Sequence, residues 1–194
     1  MTPKIWWYLA RSSGLAAWCL AGAAILLGLL LSGRLRRLPT PAWQQDLHRW
    51  IGGMSVLFLA LHLIGLAFDP TVAFGPAALA IPMAAGWRPG AVAWGIAAGY
   101  ALLAVEVSSL MMRRIPRRLW RAIHFASYGV WIGGTAHALE AGTDQGATRA
   151  IAIVGSALIF NLTALRIVGR KIPRPRASSP RTASMSSLPT SPRT

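Results

Sequence analysis

Residues 48–62 read HRWIGGMSVLFLALH, an apolar run closed at each end by a histidine, with Arg49 the only other titratable side chain inside it. A segment this oily is long enough to lie in a membrane, where an ionisable side chain is costly and is usually turned inward for a purpose. At about 100° and 1.5 Å per helical residue, fourteen positions return His62 to within roughly 40° of His48, about 21 Å further along the axis. The two imidazoles therefore share one helix face at opposite depths, with Gly52, Ser55 and Leu59 between them.

The same device returns at His124 and His137, so all four histidines fall on two segments. Here the spacing is thirteen, which on an ideal helix leaves the pair about 140° out of phase. A distortion of this second helix would reconcile it, and Gly133 and Gly134 offer a place for one. A helix lying between the two segments makes them run the same way across the membrane. His48 then shares a level with His124, and His62 with His137. One imidazole from each helix at two levels is what bis-histidine ligation of two stacked haems requires. The competing use is interhelical hydrogen bonding without a cofactor. A single zinc site is excluded by the separation of the levels, since its ligands lie within about 2 Å of the metal.

The remaining composition agrees with a membrane chain. Of 194 residues, 54% are hydrophobic and 13% charged, and the mean hydropathy is +0.47. Five stretches, roughly 7–31, 47–68, 91–112, 119–140 and 148–168, are each near the 20 or so apolar residues that cross a bilayer core. The expected fold is all-α, a five-helix transmembrane bundle over 1–171, followed by a disordered Ser/Pro-rich cytoplasmic tail over 172–194. The first stretch is expected to stay as a helix, because it is long for a signal peptide and ends in RLRR. The formal charge of +15 does not point to nucleic acid, because the basic residues cluster between oily segments. Arg34, Arg36, Arg37, Arg49, Arg113, Arg114, Arg117, Arg118, Arg121 and the C-terminal group share one face, against Lys4, Arg11, Arg88 and Arg149 on the other. Positive residues mark the cytoplasmic side, which puts the N-terminus outside and the C-terminus inside a multi-pass protein of the cell membrane.

Tryptophans 6, 7 and 87 at one end and 43, 50 and 120 at the other match interfacial belts. The connection 69–90, broken by Pro76 and Pro82, reads as an external cap. Cys19 stands alone, so no internal disulfide, covalent haem attachment or cysteine-ligated metal is available. Arg49 and Arg121, beside the inner histidines, and Arg11, a turn inside the first helix, are candidate partners for haem propionates. Positive-inside placement and snorkelling account for them equally. Glu106 is expected to pair with Arg113 or Arg114; Trp131 falls in phase with the space between the two levels, where a large aromatic is read first as packing and second as filling on an electron path. Glu140 and Asp144 lie at the outer mouth.

WYLARSSGLAAW (7–18), LHRWIGG with ALHL (47–63), RLWRAIHFASY (118–128) and GTAHALEAGTD (134–144) resemble the ferric-reductase-like transmembrane domain family. That family includes the membrane halves of NADPH oxidases and the haem subunit of the periplasmic methionine sulfoxide reductase system. The resemblance implies an inner haem b on His48 and His124 and an outer one on His62 and His137. It implies electron transfer from a cytoplasmic flavin or nicotinamide donor to an external acceptor, either ferric iron or a partner reductase. Many relatives continue into a flavin- and NADPH-binding domain, so here the donor is expected to be a separate flavoprotein or reduced flavin. Whether the chain is itself an enzyme or a relay subunit stays open at this point, as does a haem-free structural or assembly role.

Overall fold

The computed structural model describes residues 4–31, 42–71, 73–143 and 145–171. The basic residues 34, 36 and 37, Asp144 and the tail 172–194 lie outside them. Seven helices follow in order: α1 (Ile5–Leu31), α2 (Ala42–Phe68), α3 (Pro76–Ala80), α4 (Pro89–Leu110), α5 (Arg117–Phe125), α6 (Ser127–Ala141) and α7 (Gln145–Lys171). No strand occurs among the described residues.

Four helices are long and apolar enough to cross a membrane, namely α1, α2, α4 and α7. The fifth expected span, 119–140, is not one helix. It breaks at Ala126, whose N–H turns back to the carbonyl of Ile123 at 2.9 Å, a three-residue closure. Helical bonding resumes with Val130 N–H on the Ala126 carbonyl. The sequence around the break, FASYG, combines an aromatic with Ser127 and Gly129, all weaker helix formers than the leucines and alanines nearby. The distortion thus lies next to His124, well before the glycine pair at 133 and 134. Those two glycines serve packing: Gly133 sits against Trp94 and Ala98, and Gly134 against Trp18.

The bundle is made of two antiparallel hairpins. In the first, α1 packs along α2 so closely that a methyl on Gly65 would lie 2.6 Å from the backbone nitrogen of Ala10. In the second, α4 packs along α6, with α5 continuing at its N-terminal end. Contacts of α1 with α6, and lighter ones between α2 and α4, join the hairpins, and α7 packs on α1 and α6. The core of this joint is a stack of Trp18 on Trp131, ring centres 5.2 Å apart and 17° from parallel. Both are nearly buried, at 7% and 6% exposure. Their indole N–H groups donate to Thr135 and Ser156, which removes the penalty of burying unpaired donors.

Among the described residues, the connection between α2 and α4 holds only the five-residue α3. Asp69 starts it, buried, and accepts the Thr71 N–H at 2.9 Å. Arg88 ends it in the left-handed region (φ 41°), stacked 5.1 Å over Trp87 and donating to the carbonyl of Glu140. That bond pins the start of α4 to the end of α6. At the same end, Trp6 stacks on Phe68.

Candidate functional site

The face of α2 turned into the bundle carries Gly52, Ser55 and Gly65, all buried, with His48 and His62 half-buried on the same side. Across from it, α5 presents His124 and α6 presents His137. The four rings meet in two pairs. His48 and His124 have ring centres 6.2 Å apart, and so do His62 and His137, with interplanar angles of 63° and 79°. The pairing expected from spacing is therefore present at both levels. The break at Ala126 removes the regular winding on which the phase mismatch of the thirteen-residue interval depended.

Each ring is held from behind. His62 Nδ1 bonds the Ala10 carbonyl at 2.6 Å, His48 Nδ1 that of Ala24 at 3.0 Å, and His137 Nδ1 that of Ala91 at 2.7 Å. The acceptors are carbonyls, so in these three the proton is on Nδ1 and Nε2 keeps its lone pair. Among the described residues no hydrogen bond reaches any histidine Nε2.

Glycines make this possible. A methyl on Gly14 would lie 2.7 Å from His62 Nδ1, and one on Gly95 2.8 Å from His137 Nδ1. One on Gly28 would lie 3.1 Å from His48 Cε1. In each case the glycine is four residues after the bonded carbonyl, so the ring lies on the bare turn of the neighbouring helix. The fourth place is different: His124 Nδ1 is 3.4 Å from the hydroxyl of Ser109, which donates to the Val105 carbonyl at 2.7 Å.

The two hairpins thus share a plan. Ala10, Gly14, Ala24 and Gly28 of α1 correspond to Ala91, Gly95, Val105 and Ser109 of α4, every pair separated by the same stretch of chain. Histidine patterning alone misses these flanking residues. Their signal was available as small residues, Gly14 and Gly28, repeating at the same fourteen-residue interval as His48 and His62.

The other sequence candidates sort as follows. Trp120 stacks on His124 with ring centres 5.0 Å apart, and among the described residues its buried Nε1 has no hydrogen-bond partner. Arg121 is exposed on α5, and Arg49 is exposed at a surface cleft of about 590 Å³ with Asp46 and Trp50. Arg11 is half-buried, its guanidinium 5.0 Å over the Trp7 ring. Glu106 does not follow the expected ion pair. Its carboxyl lies on Gly52 of α2, where any methyl would overlap its oxygen. Trp131 turns toward α1 and α7, against Gly22 and Gly155, and is core packing.

The chemistry open to this site follows from its donors. Two metal–imidazole bonds of about 2.0 Å, each with a ring centre about 1.1 Å beyond, place ring centres about 6.2 Å apart. Both pairs match. Among the described residues no group of three or more His, Cys, Asp or Glu side chains is placed to hold an ion. A metal at either level would have to bring its equatorial ligands with it, as a macrocycle does. The unpartnered Trp120 donor beside the inner pair suits an acceptor carried by such a group.

Residues 13–135 match the family model described as ferric reductase like transmembrane component. The match includes His48, His62 and His124 and stops two positions before His137, whose place rests on its geometry with His62. No curated protein and no solved structure matches the chain.

Proposed function

The chain belongs to the ferric-reductase-like transmembrane family, and from that premise we propose that it is a two-haem b-type cytochrome relaying electrons across the cell membrane. It is a multi-pass membrane protein with an electron-transfer role as its family indicates. The observation that carries the finer reading is the pair of facing imidazoles at each of two levels, 6.2 Å between ring centres, with no third ligand among the described residues.

Bound haem supplies a one-electron ferric–ferrous couple. His48 and His124 would hold the inner haem, and His62 and His137 the outer one. Ala10, Ala24 and Ala91 fix the tautomer and tilt of three ligands and raise their basicity, as outer-shell acceptors do. Trp120 covers His124 and offers its N–H to a propionate. Arg49 and Arg121 stand beside the inner ligands in sequence and Arg11 stands on α1, and each guanidinium would suit a propionate carboxylate.

In the proposed orientation the N-terminus is outside, and the arginines of the α4–α5 connection face the cytoplasm with the His48/His124 level. The donor is a cytoplasmic flavoprotein or reduced flavin, and the acceptor is external, ferric iron or a partner reductase. Interhelical glue alone accounts for the Nδ1 bonds. It gives no reason for two imidazole rings to face each other, centres 6.2 Å apart, at both levels.

The test is a pyridine haemochrome assay with protein quantitation on detergent-purified full chain, expressed with ample haem. Two haems b per chain are expected. His48→Ala or His124→Ala should remove the inner haem, and His62→Ala or His137→Ala the outer. Retention of both haems in all four variants would refute the assignment, and absence of haem after reconstitution would leave the glue reading.

A further inference from the structure

Three of the four histidines bond a backbone carbonyl directly across a glycine, and the fourth does not. At the position equivalent to those glycines stands Ser109. We propose that Ser109 tunes the inner haem, by standing between His124 and the carbonyl that the fold's own pattern would give it. The inference rests on the two-haem reading above.

The hydrogen bonds fix which group donates at each link. Ser109 has one O–H, and it is donated to the Val105 carbonyl at 2.7 Å. Toward His124 the oxygen can only accept, so the chain runs Nδ1–H to Oγ, then O–H to the Val105 carbonyl. The first link, at 3.4 Å, is longer than the 2.6–3.0 Å of the other three. Those three rings lie where a Cβ would be, within 2.7–3.1 Å of it. Because Ser109 has its Cβ, His124 is held off the helix and cannot make the direct bond.

A strong N–H···O=C bond moves negative charge onto the ring, makes it a better donor to iron and favours the ferric state. His124, with the longer bond to a hydroxyl, is the least basic of the four ligands. Ser109 is thus a positioning residue that keeps the inner potential higher than a direct carbonyl bond would.

Two substitutions should move the potential in opposite directions. Ser109→Gly lets the ring close on the Val105 carbonyl, so the inner midpoint potential falls. Ser109→Ala removes the acceptor while the methyl still blocks the carbonyl, so the potential rises. Ser109→Thr keeps the hydroxyl and should leave it near the parent value. The experiment is an equilibrium redox titration of the haem-loaded full chain, in the parent and in a His62→Ala background that reports the inner haem alone. Low-spin EPR of the same samples reads the change in ligand field. Opposite shifts with the outer haem unchanged are the expected result. No shift, shifts of one sign, or loss of inner haem from the Gly variant would overturn the inference while leaving the two-haem reading intact. A parent chain without haem would overturn both.

Discussion

Gly14→Ala is the sharpest test of how the outer histidine is seated. The added methyl would sit 2.7 Å from His62 Nδ1 and 3.0 Å from Cε1, against an ordinary contact of about 3.5 Å or more. The atoms it meets belong to a ring already bonded at 2.6 Å to the Ala10 carbonyl, so the ring must withdraw and that bond stretches or breaks. Overpacking of this kind costs about 1–3 kcal/mol, and a lost hydrogen bond about 0.5–1.5 kcal/mol more. Taken together, about 1.5–4.5 kcal/mol corresponds to roughly 10- to 2,000-fold weaker retention of the outer haem. Haem content by pyridine haemochrome should fall toward one per chain during dilution into haem-free detergent, with the inner haem kept. Gly28→Ala, whose methyl would be 3.1 Å from His48 Cε1, should act on the inner haem more mildly. Gly53→Ala is the control, because nothing lies within 4 Å of a methyl there. Full retention of both haems in Gly14→Ala, equal to that of Gly53→Ala, would refute the claim that the bare glycine turn seats the ring.

Gly52→Ala should destabilise the bundle by about 1–3 kcal/mol through overlap with the Glu106 carboxyl. Adding Glu106→Ala should recover most of that loss, and a thermal-unfolding double-mutant cycle in detergent without such coupling would show the contact to be unimportant. Trp131→Ala should lower thermal stability by the roughly 3–5 kcal/mol typical of a large buried aromatic, with haem spectra of the folded fraction unchanged. A selective loss of transfer between haems at unchanged stability, read by stopped-flow reduction, would instead make Trp131 part of the electron route. Trp120→Phe preserves the stacking on His124 but removes the unpartnered Nε1 donor, and should weaken the inner haem by about tenfold, in line with loss of a hydrogen bond to a charged acceptor. Unchanged inner-haem content in a competition with apomyoglobin would count against a propionate at that place.

Much of this was legible before any coordinates. The intervals among His48, His62, His124 and His137 suffice to place two pairs at two depths, because the direction of successive membrane helices alternates and each residue adds a fixed rise. A connection too broken to span was legible between α2 and α4 from Pro76 and Pro82, and it holds a helix of five residues. What failed was arithmetic that assumed an unbroken cylinder. The turn at Ala126 divides a segment read as one span, so the phases of Trp131 and His137 relative to His124 could not be carried across it. Glu106 was misassigned for another reason. Its nearest arginines in sequence were visible, but the glycine that makes room for it, Gly52, lies on a different helix. The glycine seats were readable as spacing, yet a small residue in a membrane helix ordinarily signals only close packing. It takes the ring on the other side to show which ones matter.

The two hairpins described above also bear on how the molecule is assembled. Each is zipped along its own length, yet α2 is not among the close neighbours of α5 or α6. On the seam where the histidines face each other, each pair takes one ring from α2 and one from α5 or α6. A ligand bonded to both rings of a pair would fasten one hairpin to the other, and by mass action its supply would draw the halves into register. Were haem that ligand, its supply would add to the joint that the Trp18–Trp131 stack already makes between the hairpins.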